Sequence, residues 1–213
     1  MNISLQIAAA IAMFALAGGW SSARVATSFS DRRFPVAVAA VFCVVLSEWA
    51  ASIMGWTPVF AITLALAWAL LTLAAIDILA FRLPDLLTLP LTAAGLLVSL
   101  IVPNDIWSHL AGAVIGYCAF AAIGWGFARL RGREGLGLGD AKLAAAAGAW
   151  LGWAPLPSVV LIACAAGFLW VAAMAIMRGR RALTERIPFG VALAVAIWVV
   201  WLYGPLEFPG GAA

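Results

Sequence analysis

Charged residues are scarce in this sequence: Asp, Glu, Lys and Arg together make up 10% of 213 residues. Hydrophobic residues account for 66%, and no stretch of the chain is polar enough to form a soluble domain. This composition excludes a soluble globular enzyme, and no nucleic-acid partner is expected. Apolar runs long enough to cross a bilayer recur along the chain, so we predict an all-α, polytopic transmembrane helical bundle in contact with membrane lipid.

Cysteine is also rare, with three residues that never form a Cys-x-x-Cys pair. Cys43, Cys118 and Cys164 each lie within an apolar run, which favours small buried packing residues over metal ligands or disulfides. We also expect no cleavable leader, because the apolar stretch 3–19 has no basic segment before it and no small-x-small cleavage site that is followed by a polar mature domain. We therefore expect the first segment to be a permanent span.

The apolar runs predict eight helical segments, two of them short. The fourth and the sixth have about 12 to 15 residues each and reach only about 18 to 23 Å, less than a hydrocarbon core of about 30 Å. These two segments either pack against neighbouring helices in a locally thinned membrane or end before they reach one face of the membrane. The expected segments are 3–20, 35–54, 58–81, 87–101, 106–128, 140–151, 155–177 and 188–203.

All twelve Lys and Arg residues fall on one side of the membrane if the first connecting loop faces the cytoplasm. Basic residues concentrate in cytoplasmic loops, so this distribution predicts the orientation of the chain. Both termini are then expected on the opposite face. The same topology brings Asp77, Asp85, Glu134 and Asp140 to the cytoplasmic edge, although the two pairs are distant in sequence.

A run of alternating glycines precedes Asp140 at the start of the sixth segment, in residues 134–140 (EGLGLGD). Taken alone, Asp140 is explained equally well as an N-cap, whose carboxylate accepts free N–H groups of the first helical turn. Gly137 and Gly139 leave room for a substrate backbone to approach the carboxylate, and glycine also tolerates unusual dihedral angles. A carboxylate at a membrane edge behind such a loop is a candidate for chemistry.

Asp77 is not explained by capping, because it lies about four residues, or about 6 Å, inside the end of the third segment. An ionised carboxylate buried there without a partner would be costly, so it is protonated, paired or facing a wet cavity. Arg82 offers a structural partner. The functional alternative is a pair with Asp140, in which repulsion keeps one group protonated while the other is a carboxylate. Such a pair can activate water for attack on a peptide carbonyl.

Three further charged residues accompany these aspartates in the expected topology. Asp85 follows a proline and fits an N-cap of the fourth segment, although its place at the same edge also allows a supporting role. Glu134 stands among basic residues and is either a solvated loop acid or part of the site. Lys142, two residues after Asp140, is another supporting candidate.

Five short motifs occur in a fixed order along the chain. They are Ile76-Asp77, residues 82–91 (RLPDLLTLPL), 134–143 (EGLGLGDAKL), 148–153 (GAWLGW) and 186–190 (RIPFG). Together they resemble the bacterial type IV prepilin peptidases, which are membrane aspartic proteases of the GxGD class. The resemblance implies that Asp77 and Asp140 are the catalytic pair. It also implies a catalytic membrane domain over 70–205, after N-terminal transmembrane segments in 1–69 and before a C-terminal tail at 206–213.

The resemblance implies a substrate class as well. Prepilins and pseudopilins join a short basic leader to a hydrophobic helix, and the family removes the leader at the cytoplasmic face of the bacterial inner membrane, typically after a glycine. The hydrophobic helix can lie in the bilayer beside the enzyme while the leader stays at that face. Our hypothesis is that Asp85 or Glu134 helps to attract the basic leader.

The chain departs from longer family members in the loop after the first segment. Those members carry a cytoplasmic insertion with paired Cys-x-x-Cys motifs, and they methylate the new N-terminal amine with S-adenosylmethionine. The corresponding loop here, residues 21–34, has no cysteine, so we expect no thiolate zinc site. We also find no glycine-rich nucleotide loop, and we therefore expect no cofactor and no methyltransferase activity.

Three alternatives from other classes are open to test. A presenilin-like or signal-peptide-peptidase-like protease also uses Gly-x-Gly-Asp, but Ile76 replaces its expected tyrosine and no Pro-Ala-Leu segment exists. A proton-coupled transporter would place carboxylates near the midplane of repeated halves, and the chain shows no internal repeat. In a noncatalytic membrane scaffold, the acids would be structural only.

Overall fold

The computed structural model describes residues 3–30, 32–55, 57–101, 105–132, 136–179 and 187–207, and these residues form helices without any strand. This confirms the predicted all-α class, and each of the eight predicted segments corresponds to a helix. The helices are α1 (Ile3–Ser28), α2 (Val36–Met54), α3 (Pro58–Ala80), α4 (Asp85–Ile101), α5 (Ile106–Arg131), α6 (Leu138–Leu151), α7 (Leu156–Arg178) and α8 (Phe189–Tyr203).

Two helix boundaries differ clearly from the prediction. α1 continues to Ser28 instead of ending near residue 20, so a glycine pair lies inside it. The physical reason is packing: a Cβ on Gly19 would lie 2.3 Å from the Cα of Ala40 in α2. Here glycine brings two helix backbones together instead of ending the helix. The other is the end of α5, which continues to Arg131, three residues past its predicted end, while α4 and α6 each begin two residues before the predicted start.

Among the described residues, four helices are long and apolar enough to cross a membrane, namely α2, α3, α5 and α7, while α4 and α8 are shorter apolar helices. α6 has 14 residues and is not among the candidate spans. At 1.5 Å per residue it is about 21 Å long, as predicted for a short segment. The outward face of α7 carries large apolar side chains that are 72% to 86% exposed, as expected of a surface that meets lipid: Phe168, Leu169, Ile176 and Met177.

The three cysteines differ in whether their side chains are buried or exposed. Cys43 is buried in α2, as predicted. Cys118 in α5 and Cys164 in α7 are exposed, so the expectation of buried packing residues is wrong for these two. Because an outward membrane face is itself apolar, an apolar run does not distinguish a buried position from an exposed one, and a thiol is compatible with either.

The chain divides into two compact units, one ending at Phe81 and the other beginning at Arg82. The predicted domain limits at residues 70 and 205 stay a prediction. In the first unit, α1 packs on both α2 and α3. Hydroxyl groups join α1 to α3: the Trp68 indole donates to Ser21 at 2.9 Å, and Thr72 donates to Ser22, also at 2.9 Å. Ser22 and Thr72 are fully buried, so this polar contact holds the helix that carries Asp77.

In the second unit, α6 packs against α4, α5, α7 and α8. Its small side chains allow this, since almost every residue from Ala141 to Trp150 is buried. A Cβ on Gly148 would lie 2.1 Å from the carbonyl atoms of Gly112 in α5, and one on Gly116 would lie 2.4 Å from the Ala144 oxygen. Small residues thus bring the α5 and α6 backbones into direct contact, as is common between membrane helices.

The far end of α6 is held by polar contacts. The Trp150 indole donates to the Leu91 carbonyl of α4 at 2.8 Å, and its ring meets Trp201 of α8 edge-on. The His109 ring of α5 lies 3.0 Å from the Ala149 carbonyl. These contacts fix the end of α6 opposite Asp140, so that the helix is a rigid support for its own first turn.

Replacing Gly148 by Ala is expected to destabilise the second unit by about 1 to 3 kcal/mol, because the added methyl group overlaps the Gly112 backbone. We expect a lower melting temperature when purified chain in detergent is unfolded by heat and followed by circular dichroism. Gly126→Ala is the matched control, since a Cβ there meets nothing within 4 Å. Equal melting temperatures for the two variants would contradict the direct contact between α5 and α6.

Candidate active site

Asp77 lies in the last turn of α3 and is 5% exposed. It lies inside the helix, not at its cap, as the sequence predicted. Its backbone carbonyl accepts a 2.9 Å hydrogen bond from the N–H of Phe81, the residue that ends the helix. A carboxyl group buried near the end of an apolar helix must be protonated, paired or in contact with water.

Phe81 ends α3 in the left-handed conformation, with φ 50° and ψ 41°. It is the one non-glycine residue with a positive φ in the described part of the chain. Glycine usually takes this position after a helix, and a side chain there costs about 1 to 2 kcal/mol. Sequence reasoning missed this feature, although the signal was present: no glycine follows Asp77 where the helix must end.

Asp140 is the third residue of α6, and Gly137 occupies the N-cap position. The interpretation of Asp140 as an N-cap is therefore wrong: the helix begins earlier, and the Asp140 N–H donates to the Gly137 carbonyl at 3.1 Å. The side chain is half-buried and lies in the first turn, where the helix dipole favours an anion. Burial raises the pKa of the Asp140 carboxyl to about 6, and a hydrogen bond with the Gly137 backbone opposes that rise.

The two glycines of the motif differ in what surrounds them. A Cβ on Gly139 would lie 2.9 Å from the Cβ of Leu83 and 3.3 Å from its backbone nitrogen, so glycine is needed for the close approach of the two segments. Leu83 already fills this space and is itself buried, which gives Gly139 a supporting role. Gly137 is exposed and has φ −74°, and a Cβ there would make only an ordinary contact with Asp140. Substrate approach at Gly137 stays a prediction.

Asp85 is the first residue of α4, and the carbonyl of Pro84 accepts hydrogen bonds from the next turn. The N-cap interpretation of Asp85 is therefore not supported, because its carboxylate is turned to α6. There the Lys142 ammonium group lies 2.5 Å from Oδ1 of Asp85. The sequence placed Asp85 and Lys142 near the site separately, and the structure joins them in an ion pair.

The second unit thus brings Leu83, Asp85, Gly139 and Lys142 together beside the turn that carries Asp140. Leu83 was missed from the sequence, although a leucine between Arg82 and Pro84 in a short polar connection is a signal for a buried contact. Glu134 lies outside the described residues, as does Arg186 of the last motif. In the described part of the chain, no three His, Cys, Asp or Glu residues are grouped as they would be to hold a metal ion.

Comparison with known proteins assigns this chain to a family. The model of the type IV leader peptidase family matches residues 64–172, just over half of the chain, and this range includes both Asp77 and Asp140. The chain therefore belongs to the type IV leader peptidase family. No solved structure matches it.

The curated relatives carry the corresponding names. A prepilin leader peptidase/N-methyltransferase of Aeromonas salmonicida is 41% identical over 153 residues, which are 70% of this chain and 51% of that protein. A protein of the same name from Burkholderia pseudomallei is 50% identical over 133 residues, covering 59% and 41%. The leader peptidase HopD of Escherichia coli is 45% identical over 119 residues, covering 55% and 77%. The matched part of this chain thus corresponds to about half the length of the first two relatives and to most of the third.

Replacing Gly139 by Ala is expected to displace the first turn of α6 from Leu83, because the new methyl group would lie 2.9 Å from a side-chain carbon that cannot rotate away. We expect faster amide hydrogen exchange in residues 138–142 and a loss of stability of about 1 to 3 kcal/mol. Gly137→Ala is the control, since its methyl group has room. The assigned contact would be wrong if both variants exchanged at the rate of the parent chain.

Proposed function

We propose that this chain is a membrane aspartic endopeptidase that removes the N-terminal leader of type IV prepilins or pseudopilins. The observation that carries the proposal is the family match, which includes both aspartates, together with the burial of Asp77 in an apolar helix end. The curated relatives are named for the same activity.

In the proposed mechanism, Asp77 and Asp140 act on one water molecule and one peptide bond. One carboxylate takes a proton from the water molecule while the oxygen of that water attacks the carbonyl carbon. The other group, protonated, donates a hydrogen bond to the carbonyl oxygen and stabilises the developing negative charge. The proton taken from water then passes to the leaving amine as the C–N bond breaks, so no outside reagent is consumed.

The environment of Asp140 supports this division of labour. Its carboxyl has a pKa raised to about 6, so protonated and ionised forms are both accessible near neutral pH. An ordinary aspartate titrates near pH 3.9 and would be ionised almost completely. Repulsion between two carboxylates in one site would raise the pKa of one of them further, because only one of them can readily be ionised.

The expected orientation places the site at the cytoplasmic face of the bacterial inner membrane. In support, arginine side chains stack on tryptophan rings near the ends of α1 and α5: Arg24 over Trp20 at 5.2 Å, and Arg129 over Trp125 at 5.7 Å. Tryptophan and arginine together are typical of the boundary between lipid and water. Both pairs belong to the side that the distribution of basic residues assigns to the cytoplasm.

The substrate we propose has a short basic leader, a glycine at the cut and a hydrophobic helix held in lipid. Asp85 is a weaker candidate for attracting the leader than the sequence indicated, since Lys142 already balances its charge. Glu134 stays the candidate for this role. We propose no cofactor for the cleavage reaction, because the two aspartates and water supply its chemistry.

Replacing either Asp77 or Asp140 by Asn is expected to abolish cleavage, since an amide can neither accept the proton from water nor share one with its partner. The measurement is the release of the leader from a prepilin by the full chain in proteoliposomes. Glu48→Gln is the matched control, because it removes an exposed carboxylate from α2 and should retain the parent rate. Normal insertion with retained cleavage in either Asn variant would exclude the mechanism.

We also expect the cleaved product to keep an unmodified N-terminal amine. Residues 21–34 hold no cysteine set like that of the longer relatives, and the chain offers no recognisable site for S-adenosylmethionine. Mass spectrometry of a prepilin cleaved in proteoliposomes with added S-adenosylmethionine should therefore show no mass gain of one methyl group. A methylated product would show that methylation does not require the cysteine-containing insertion.

A further inference from the structure

Two residues on one face of α6 hold its first turn against the start of α4 and the residues just before it. Gly139 and Lys142 are three residues apart, so they lie on the same face of the helix. Gly139 meets Leu83, and Lys142 meets Asp85 one turn further along. Asp140 is rotated by about 100° from Gly139 and about 200° from Lys142, which takes its side chain off this contact face.

The first turn of α6 needs such tertiary support because it has little local support. The first N–H groups of a helix have no partner within it, and a polar N-cap side chain usually accepts from them. The N-cap of α6 is Gly137, which has no side chain to do this. Locally the Asp140 carboxyl makes a hydrogen bond with the Gly137 backbone, and the contacts with Leu83 and Asp85 add tertiary support to this turn.

The two contacts have different effects on this turn. The approach of Gly139 to Leu83 sets the distance between the first turn of α6 and the residues before α4. This single contact does not prevent the turn from rotating about it. The ion pair of Lys142 with Asp85 adds a second point on the same face, and two points fix both the height and the rotation of the turn. The height and rotation of the turn, together with the hydrogen bond to the Gly137 backbone, set the direction of the Asp140 carboxyl.

We propose that Asp85 and Lys142 are positioning residues, whose ion pair holds the first turn of α6 so that the Asp140 carboxyl faces the reacting water and carbonyl. This inference rests on the proposed function, because it concerns the orientation of the proposed catalytic carboxyl group of Asp140. It also gives Asp85 a role other than attraction of the leader.

Because the ion pair of Asp85 and Lys142 is exposed, its effect on catalysis can be measured separately from its effect on overall stability. The Asp85 side chain is 59% exposed and that of Lys142 is 25% exposed. Exposed ion pairs add little to global stability because water and salt screen them. A small misorientation of a reacting group, in contrast, can slow a reaction by orders of magnitude. Removal of the pair should therefore lower the catalytic rate much more than it lowers the melting temperature.

The experiment is a double-mutant cycle on the full chain in proteoliposomes, with a prepilin as substrate. Asp85→Asn and Lys142→Met should each lower kcat about tenfold and leave KM within about twofold of the parent. The double variant should fall no further than the lower single variant, because each change breaks the same pair. Asp85→Glu and Lys142→Arg preserve the charges and should retain most of kcat. Arg131→Met, which removes a cation outside the pair, is the control and should retain the parent kcat.

Other outcomes overturn the inference in distinct ways. A raised KM with unchanged kcat in Asp85→Asn would make Asp85 a binding residue for the leader. Losses that multiply in the double variant would show two independent roles, and a fall in melting temperature that parallels kcat would show a structural role alone. These results are separate from failure of the proposed function, which would appear as no cleavage by the parent chain or as cleavage by Asp140→Asn.

Discussion

The backbones of α5 and α6 meet where Gly112 faces Gly148 and where Gly116 faces Ala144, with no space for a further methyl group at three of these positions. Within a bilayer, apolar side chains gain little by leaving lipid for protein, so helices associate through close packing and hydrogen bonds between them. The second unit follows this rule, since α6 is built almost entirely of small buried residues and is surrounded by the other helices of the unit. A helix packed so tightly cannot shift freely along its axis, and its first turn can therefore present a carboxyl group at a defined height.

Few polar side chains are buried among the described residues, and several of them join neighbouring helices or lie near helix ends. The indole of Trp150 and the hydroxyls of Ser22 and Thr72 join neighbouring helices. Asp140 lies in the first turn of α6, where free backbone N–H groups favour a negative charge, whereas Asp77 lies in the last turn of α3, where free carbonyl groups disfavour one.

Much of the fold could be predicted from the sequence, because a chain with 66% hydrophobic residues can satisfy its backbone in lipid only as helices or as a closed barrel. The long apolar runs made helices the expected choice, and all eight segments are present. The first boundary was harder to predict, because Gly18 and Gly19 indicate either a helix end or a close contact, and only the approach of Ala40 decides between them. The cap interpretations of Asp140 and Asp85 failed for a similar reason: a side chain that suits a cap can also serve elsewhere, and the start of each helix depends on neighbouring backbone.

The sequence by itself determined the helical class, the number of helical segments and the two aspartates that the family motifs contain. These properties depend on composition, on periodicity and on short motifs, all of which are local along the chain. Only the tertiary structure decided that Leu83 occupies the space beside Gly139, that Lys142 pairs with Asp85, and that Asp140 lies inside the first turn of α6. Each of these is a contact between residues far apart in sequence or a consequence of where a helix begins, and both are set by which backbones can approach one another.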